Sequence, residues 1–300
     1  MTVMAAPAEN AALLDRAAIK GRSLWDDSRR RLLSNKAAMA GFIVLGLLVL
    51  IAIFGPFLWP HKYETQYYDR LSLAPTFENL HILGTDIYGR DMVARIMAGL
   101  GISLMVGAVA TFVSLVIGVT WGAIAGFAGG RVDQFMMRIV DVIYAMPFLF
   151  FVILVTVVFG RHIFLIFLAI GAVEWMTMAR IVRGQTLALK QKEFVEAARA
   201  AGVKPIGLII RHILPNLLGP VAVYVTLTMP VVILQESVLS FIGLGVQEPL
   251  TSLGRLISDG QKEFGSPWLL FGPAATMVVT LFSLNFIGDG LRDALDPKDR

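Results

Sequence analysis

Five stretches of this chain contain no Asp, Glu, Lys or Arg: residues 37–60, 96–130, 142–160, 212–235 and 264–288, which are 24, 35, 19, 24 and 25 residues long. A helix rises about 1.5 Å per residue and a bilayer core is about 30 Å thick, so roughly 20 such residues suffice to cross it. A sixth stretch, 162–179, qualifies if Glu174 is tolerated inside it. Only 16% of the residues are charged and 56% are hydrophobic, against roughly 25% charged in a soluble domain. A chain of this kind cannot hide its apolar surface from water by itself. The expected fold is therefore all-α, a polytopic bundle of six transmembrane helices with lipid as its solvent.

Charge placement sets the expected orientation. With the N-terminus in the cytoplasm, 19 of the 26 Lys and Arg residues fall in inside segments and 7 in outside ones, the bias that the positive-inside rule requires. Both termini are thus expected inside. Residues 1–36 form a cytoplasmic N-terminal segment; being polar, they leave no room for a cleavable leader, and the first apolar run stays as an anchor. Residues 37–300 form the membrane domain. Its outside loop covers 61–99, where Tyr63, Tyr67 and Tyr68 suit the headgroup level, and its inside loop covers 184–216. The absence of cysteine excludes a disulfide framework.

The inside loop carries the clearest local chemistry. Leu189, Phe194, Val195 and Ala198 interleave with Lys190, Lys192, Glu193, Glu196 and Arg199 at helical spacing, giving one apolar and one charged face. Gly202 then supplies the left-handed residue that ends a helix, and Pro205 suits the first turn of the next. A helix, a glycine turn and a second helix are predicted. Taken alone, this is equally a surface element lying on the membrane.

The residues Glu196-Ala197-Ala198, Gly202 and Leu214-Pro215, with Leu214 twelve positions after the glycine, resemble the EAA loop of permease subunits of binding-protein-dependent ABC importers. His212 stands where that family commonly has Ile. The resemblance implies a coupling helix that docks on a cytoplasmic ATPase, with Glu193, Glu196, Ala197, Ala198, Gly202, Pro205, Leu214 and Pro215 as its residues. The segment 81–104 resembles the signature of the dipeptide, oligopeptide and nickel subfamily, in particular its second, C-type permease, through Gly84, Thr85, Asp86, Gly89, Arg90 and Asp91. Residues 288–298 resemble that subfamily's terminus.

Read locally, Gly84 and Gly89 permit tight turns, Thr85 or Asp86 caps a helix, and Asp91 pairs with Arg95 four residues on. These residues either fix a membrane-flanking helix or contact an external binding protein. Residues 288–290 (Gly-Asp-Gly) are expected to close the last span. Pro147 and Pro230 should kink or locally open their helices, Gly118, Gly122 and Gly126 should allow close helix contact, and Asp141 is expected to pair with Arg138. Glu174 and Glu236 are candidate pathway residues, because a carboxylate at membrane depth must face protein or water. A packing partner would serve Glu174 equally well.

No Gly-x4-Gly-Lys-Ser/Thr phosphate loop occurs in the chain, and its four His residues are scattered singly. No bound cofactor, metal or nucleic acid is expected, and the chain is not expected to be an enzyme. By resemblance, ATP and magnesium belong to two partner ATP-binding subunits. A homologous second permease and a periplasmic solute-binding protein would complete an importer of peptides in the bacterial inner membrane. The rival reading is a secondary transporter or channel coupled to an ion gradient through Glu174 and Glu236.

Overall fold

The computed structural model describes residues 24–160 and 163–295. Within these residues the backbone is helical apart from loops and a single bridge between Thr85 and Asp91. A short helix α1 (Leu24–Ser34) leads to Asn35, whose side chain accepts the Ala38 N–H at 3.1 Å and so starts α2 (Lys36–Leu58). Helix α3 (Met92–Ala128) has 37 residues, about 55 Å at the usual rise. It overshoots any bilayer core, so its first turns stand in the loop layer beyond that core. The loop expected over 61–99 accordingly ends at Asp91, which caps α3 by accepting the Ala94 N–H at 2.8 Å.

Two short helices follow, α4 (Gly130–Tyr144) and α5 (Phe148–Phe159), bent by 84° at the break. Pro147, expected to kink or locally open its span, divides it in two. Its ring disfavours a helical conformation for Met146 and it has no N–H to continue the ladder. Pro230, by contrast, stays inside a helix. Helix α6 (Ile163–Leu189) is followed by α7 (Glu193–Ala200) and α8 (Pro205–Leu208). A widened turn over Ile209–Ile213 then feeds α9 (Leu214–Phe241). Helices α10 (Leu253–Gly260) and α11 (Trp268–Leu295) complete the described chain. Five helical runs are long and apolar enough to span a membrane, and six if the bent pair counts as one.

The central contact is α3 against α6. A β-carbon on Gly118 would lie 2.5 Å from that of Met178, and one on Gly122 would lie 2.4 Å from the Ala179 carbonyl oxygen. Nothing larger than glycine lets these backbones approach so closely. Trp121 meets Trp175 edge-on, with centroids 5.3 Å apart. A second core joins α3, α9, α10 and α11 through Leu100, Ile233, Leu253, Leu256 and Leu284. Residues 288–290 do not close α11, which continues to Leu295. Gly290 is instead the point where α2 crosses, since a β-carbon there would be 2.3 Å from that of Ala38.

Candidate functional site

Three places bring together the residues singled out by the sequence. The first is the element between α6 and α9. The Lys190 ammonium donates to the Phe127 carbonyl at 2.6 Å and ties the end of α6 to the end of α3. Val195 is the only buried side chain of α7, and Leu208 and Ile213 anchor the other arm. Helix α7 closes in a Schellman turn: Gly202 N–H donates to Arg199 at 3.0 Å and Val203 N–H to Ala198 at 3.1 Å, with Gly202 at φ +82°. Pro205 opens α8.

The outward face holds what the sequence singled out. Glu193, Glu196, Ala197, Gly202 and Pro205 are exposed and Ala198 is half-buried. Phe194 and Ile206 are exposed beside them, Ile206 by 71%. Leu214 and Pro215 form the first turn of α9, half-buried and exposed respectively. The half-buried His212 contributes its carbonyl oxygen to the Asn216 amide at 2.7 Å.

The second place is the loop before α3. Its signature residues are turned inward. Asp86 accepts the N–H groups of Tyr88 and Arg90 at 2.9 and 2.8 Å, Arg90 Nε at 2.7 Å, and the Arg95 guanidinium. Arg90 also reaches Glu248 at 3.2 Å. Burial disfavours the Arg90 charge, but bonding to Asp86 and attraction to Asp86 and Glu248 outweigh it and hold its pKa above the ordinary value. Thr85 ties Leu73 to its own backbone and side chain at 2.9 Å each. Gly84 and Gly89 adopt φ +72° and +76°, and a β-carbon on Gly89 would lie 2.1 Å from the Tyr67 oxygen.

Two local expectations fail here. Neither Thr85 nor Asp86 caps the helix, and Asp91 does not pair with Arg95. Asp91 is the cap, and it also accepts Trp59 Nε1 at 3.0 Å and His81 Nδ1 at 2.8 Å. Arg95 turns to Asp86 instead, which already holds Arg90. Tyr67 belongs to the interior of the loop, with its hydroxyl 2.9 Å from His61 Nδ1.

His61, His81 and Asp91 cluster closely enough to suggest a metal site, a grouping that single scattered histidines concealed. Their chemistry does not fit one. The guanidinium of Arg70 can only donate, so His81 Nε2 accepts it at 3.1 Å and Nδ1–H serves Asp91. The Asn79 carbonyl can only accept, so His61 Nε2–H donates to it at 2.7 Å, and Nδ1 accepts the Tyr67 hydroxyl. The two rings are stacked 4.3 Å apart, and parallel rings cannot aim in-plane lone pairs at one ion. Both ring nitrogens of each histidine and both Asp91 oxygens are thus already engaged in hydrogen bonds.

The third place comprises the carboxylates at membrane depth. Glu236 is fully buried, accepting the hydroxyls of Ser240 and Ser252 at 2.6 and 2.7 Å. Ser252 caps α10, so Glu236 pins that helix to α9 and does not line an open mouth in this conformation. Glu174 is half-buried and accepts the Gln235 amide at 2.7 Å across α6 and α9. Asp141 does not pair with Arg138: Arg180, 39 positions on, reaches it at 3.0 Å and covers the Tyr144 ring.

Residues 118–300 match the family model described as binding-protein-dependent transport system inner membrane component, and residues 23–75 match that of the N-terminal TM domain of oligopeptide transport permease C. The chain belongs to this permease family. It is 53% identical over 283 residues to the oligopeptide transport system permease protein OppC of Haemophilus influenzae, covering 94% of this chain and 91% of that one. It is 44% identical over 280 residues to the dipeptide transport system permease protein DppC of Bacillus subtilis, covering 93% and 87%. The fold is that of a chain of the inward-facing MetNI methionine ABC transporter, with TM-score 0.56 at 18% identity, covering 68% of this chain and 98% of that one.

Like its relatives, this permease is a multi-pass inner-membrane protein. Sequence reasoning missed the groups that bind its helices at long range. Arg183 grips Asp133 with two bonds of 2.5 and 2.6 Å, and Gln235 completes the Glu174 pair. Residues 296–298 of the terminus resemblance lie outside the described residues.

Proposed function

We propose that this permease is one half of the translocation pathway of an ATP-driven peptide importer, and that the element over residues 190–208 is where a motor subunit grips it. Support comes from its outward face: acidic Glu193 and Glu196, small Ala197 and apolar Phe194 and Ile206 are held out by a rigid Schellman turn. The names of the relatives, oligopeptide and dipeptide permeases, support peptides as cargo. The charge bias supports placing this element, with both termini, in the cytoplasm.

In this reading the assembly adds a homologous second permease, two ATP-binding subunits that hold ATP and magnesium, and a periplasmic solute-binding protein. Glu174 stands in the pathway, and the loop before α3 forms part of the outer surface. ATP drives the motor subunits together, the docked element follows, and the spans rock between inward-open and outward-open states. ATP and the loaded binding protein must each favour one of these states, or no population shifts.

The test is uptake and ATP hydrolysis in proteoliposomes carrying Glu196→Lys or Gly202→Pro. The first reverses a charge on the docking face. The second replaces a φ of +82° with proline's fixed value near −65°. Both variants should insert and lose the link between hydrolysis and uptake. Normal uptake with normal substrate-stimulated hydrolysis in both would refute the assignment.

A further inference from the structure

The break between α4 and α5 and the carboxylate of Glu174 share one cavity of about 310 Å³, walled by Tyr144, Pro147, Phe148, Glu174 and Gln235. That volume is at the lower end of the roughly 300–1,000 Å³ of small-molecule pockets. Each of the two features is compatible with water or solute here. Interrupted backbone at membrane depth persists only against protein or a wet cavity. A half-buried carboxylate at that depth needs the same. One structural accident would explain either alone; neither explains why they coincide.

The cavity's hydrogen-bonding groups are out of balance. The Gln235 amide N–H is spent on Glu174 Oε1, while Gln235 Oε1 is buried with no partner. Glu174 is bonded through one oxygen only. Arg180, the nearest cation along α6, is turned to Asp141. The Glu174 carboxylate, bonded through one oxygen, therefore lines a space whose wall offers hydroxyl donors on Tyr144 and Thr177 but no cation. A primary ammonium, with three N–H donors and one positive charge, is the complement of this set. Helix α5 starts at Pro147 with no side-chain cap, so first-turn N–H groups are left for an acceptor such as a carbonyl. An ammonium next to a carbonyl is the amino end of a peptide.

We infer that Glu174 and Gln235 form a subsite for the amino terminus of the passing peptide. The inference rests on the peptide-importer reading and names cargo-contacting residues within it. Phe148 and Tyr144 supply apolar wall around the first side chain, which fits a site that must hold many sequences by what they share.

The complete importer in proteoliposomes, with its binding protein pre-saturated, would be given tri-alanine or N-acetyl-tri-alanine. Wild-type protein should prefer the free amine. Glu174→Gln keeps the side chain's shape and an acceptor for Gln235 but removes the charge. It should lower tri-alanine uptake on the order of tenfold, in line with a lost charge-assisted bond, and barely alter uptake of the acetylated peptide. Gln235→Met should act in the same direction, and Glu174→Asp should restore part of the preference. Because every variant uses the same binding protein, that protein's own selectivity cancels in the ratio of rates.

An equal fall for both peptides in Glu174→Gln and Gln235→Met would assign the pair to packing and overturn the subsite. An unchanged ratio would do the same. Failure of the wild-type importer to carry either peptide would overturn the peptide reading itself, and the subsite with it.

Discussion

The two ends of this bundle are built on opposite principles. In the loop before α3, the charged signature side chains Asp86, Arg90 and Asp91 are buried and bonded, and the chain folds back on itself so tightly that Gly89 has no room for one more carbon. In the element over 190–208, the signature residues mostly point outward and one side chain per arm or so holds it down. The same kind of resemblance therefore marks a buried scaffold at one end and an exposed surface at the other. A recognisable motif says that residues matter; only their burial says whether they matter to the fold or to a partner.

The comparison breaks most readily at Asp86. Replacing it with Ala leaves Arg90 and Arg95 buried without their shared anion, a loss of about 3–5 kcal/mol on the scale for breaking buried pairs. Thermal unfolding in detergent should show a large drop, whereas an unchanged midpoint would mean that the network is ornamental. Two glycines sharpen it next. Both Gly89 and Gly202 need positive φ, at +76° and +82°, so Ala at either carries the left-handed penalty of about 1–2 kcal/mol. At Gly89 the new carbon also meets Tyr67 backbone, while at Gly202 nothing lies within 4 Å. Gly89→Ala should therefore destabilise more than Gly202→Ala, and equal melting shifts would contradict the contrast. The smallest stability effect belongs to Glu196→Ala, within about 0.5 kcal/mol for an exposed site, despite loss of coupled uptake. A large unfolding shift there would place Glu196 in the scaffold as well.

What could be read beforehand follows the range of the signal. The positions of the apolar spans, the glycine stop of α7, the proline at α8 and a close helix contact at Gly118 and Gly122 depend on residues a few positions apart, or on one bulk property of a run. They were legible. The local pairings failed because a charged side chain takes its best partner from the whole structure. Arg90 finds Glu248, 158 positions away, and Asp141 finds Arg180. Pro147 was recognised as a disturbance, but whether a helix bends or divides depends on what the freed backbone can lie against. Gly290 looked like a stop because a close crossing and a helix end use the same residue. Glu174 was visible as a carboxylate in an apolar run, while Gln235, which gives it a setting, is unremarkable until α6 and α9 are side by side.

Helix α3 runs without interruption from its Asp91 cap to the Lys190–Phe127 tie. A stiff rod about 55 Å long behaves as a see-saw: a tilt of about 5° about its middle moves the two tips in opposite directions by about 2.4 Å each. Docking on the outer face and gripping on the inner face would thus pull on the same beam. In the proposed importer, news of a loaded carrier would need no relay of side-chain rearrangements to reach the motor, and any softening midway along α3 would deafen each side to the other.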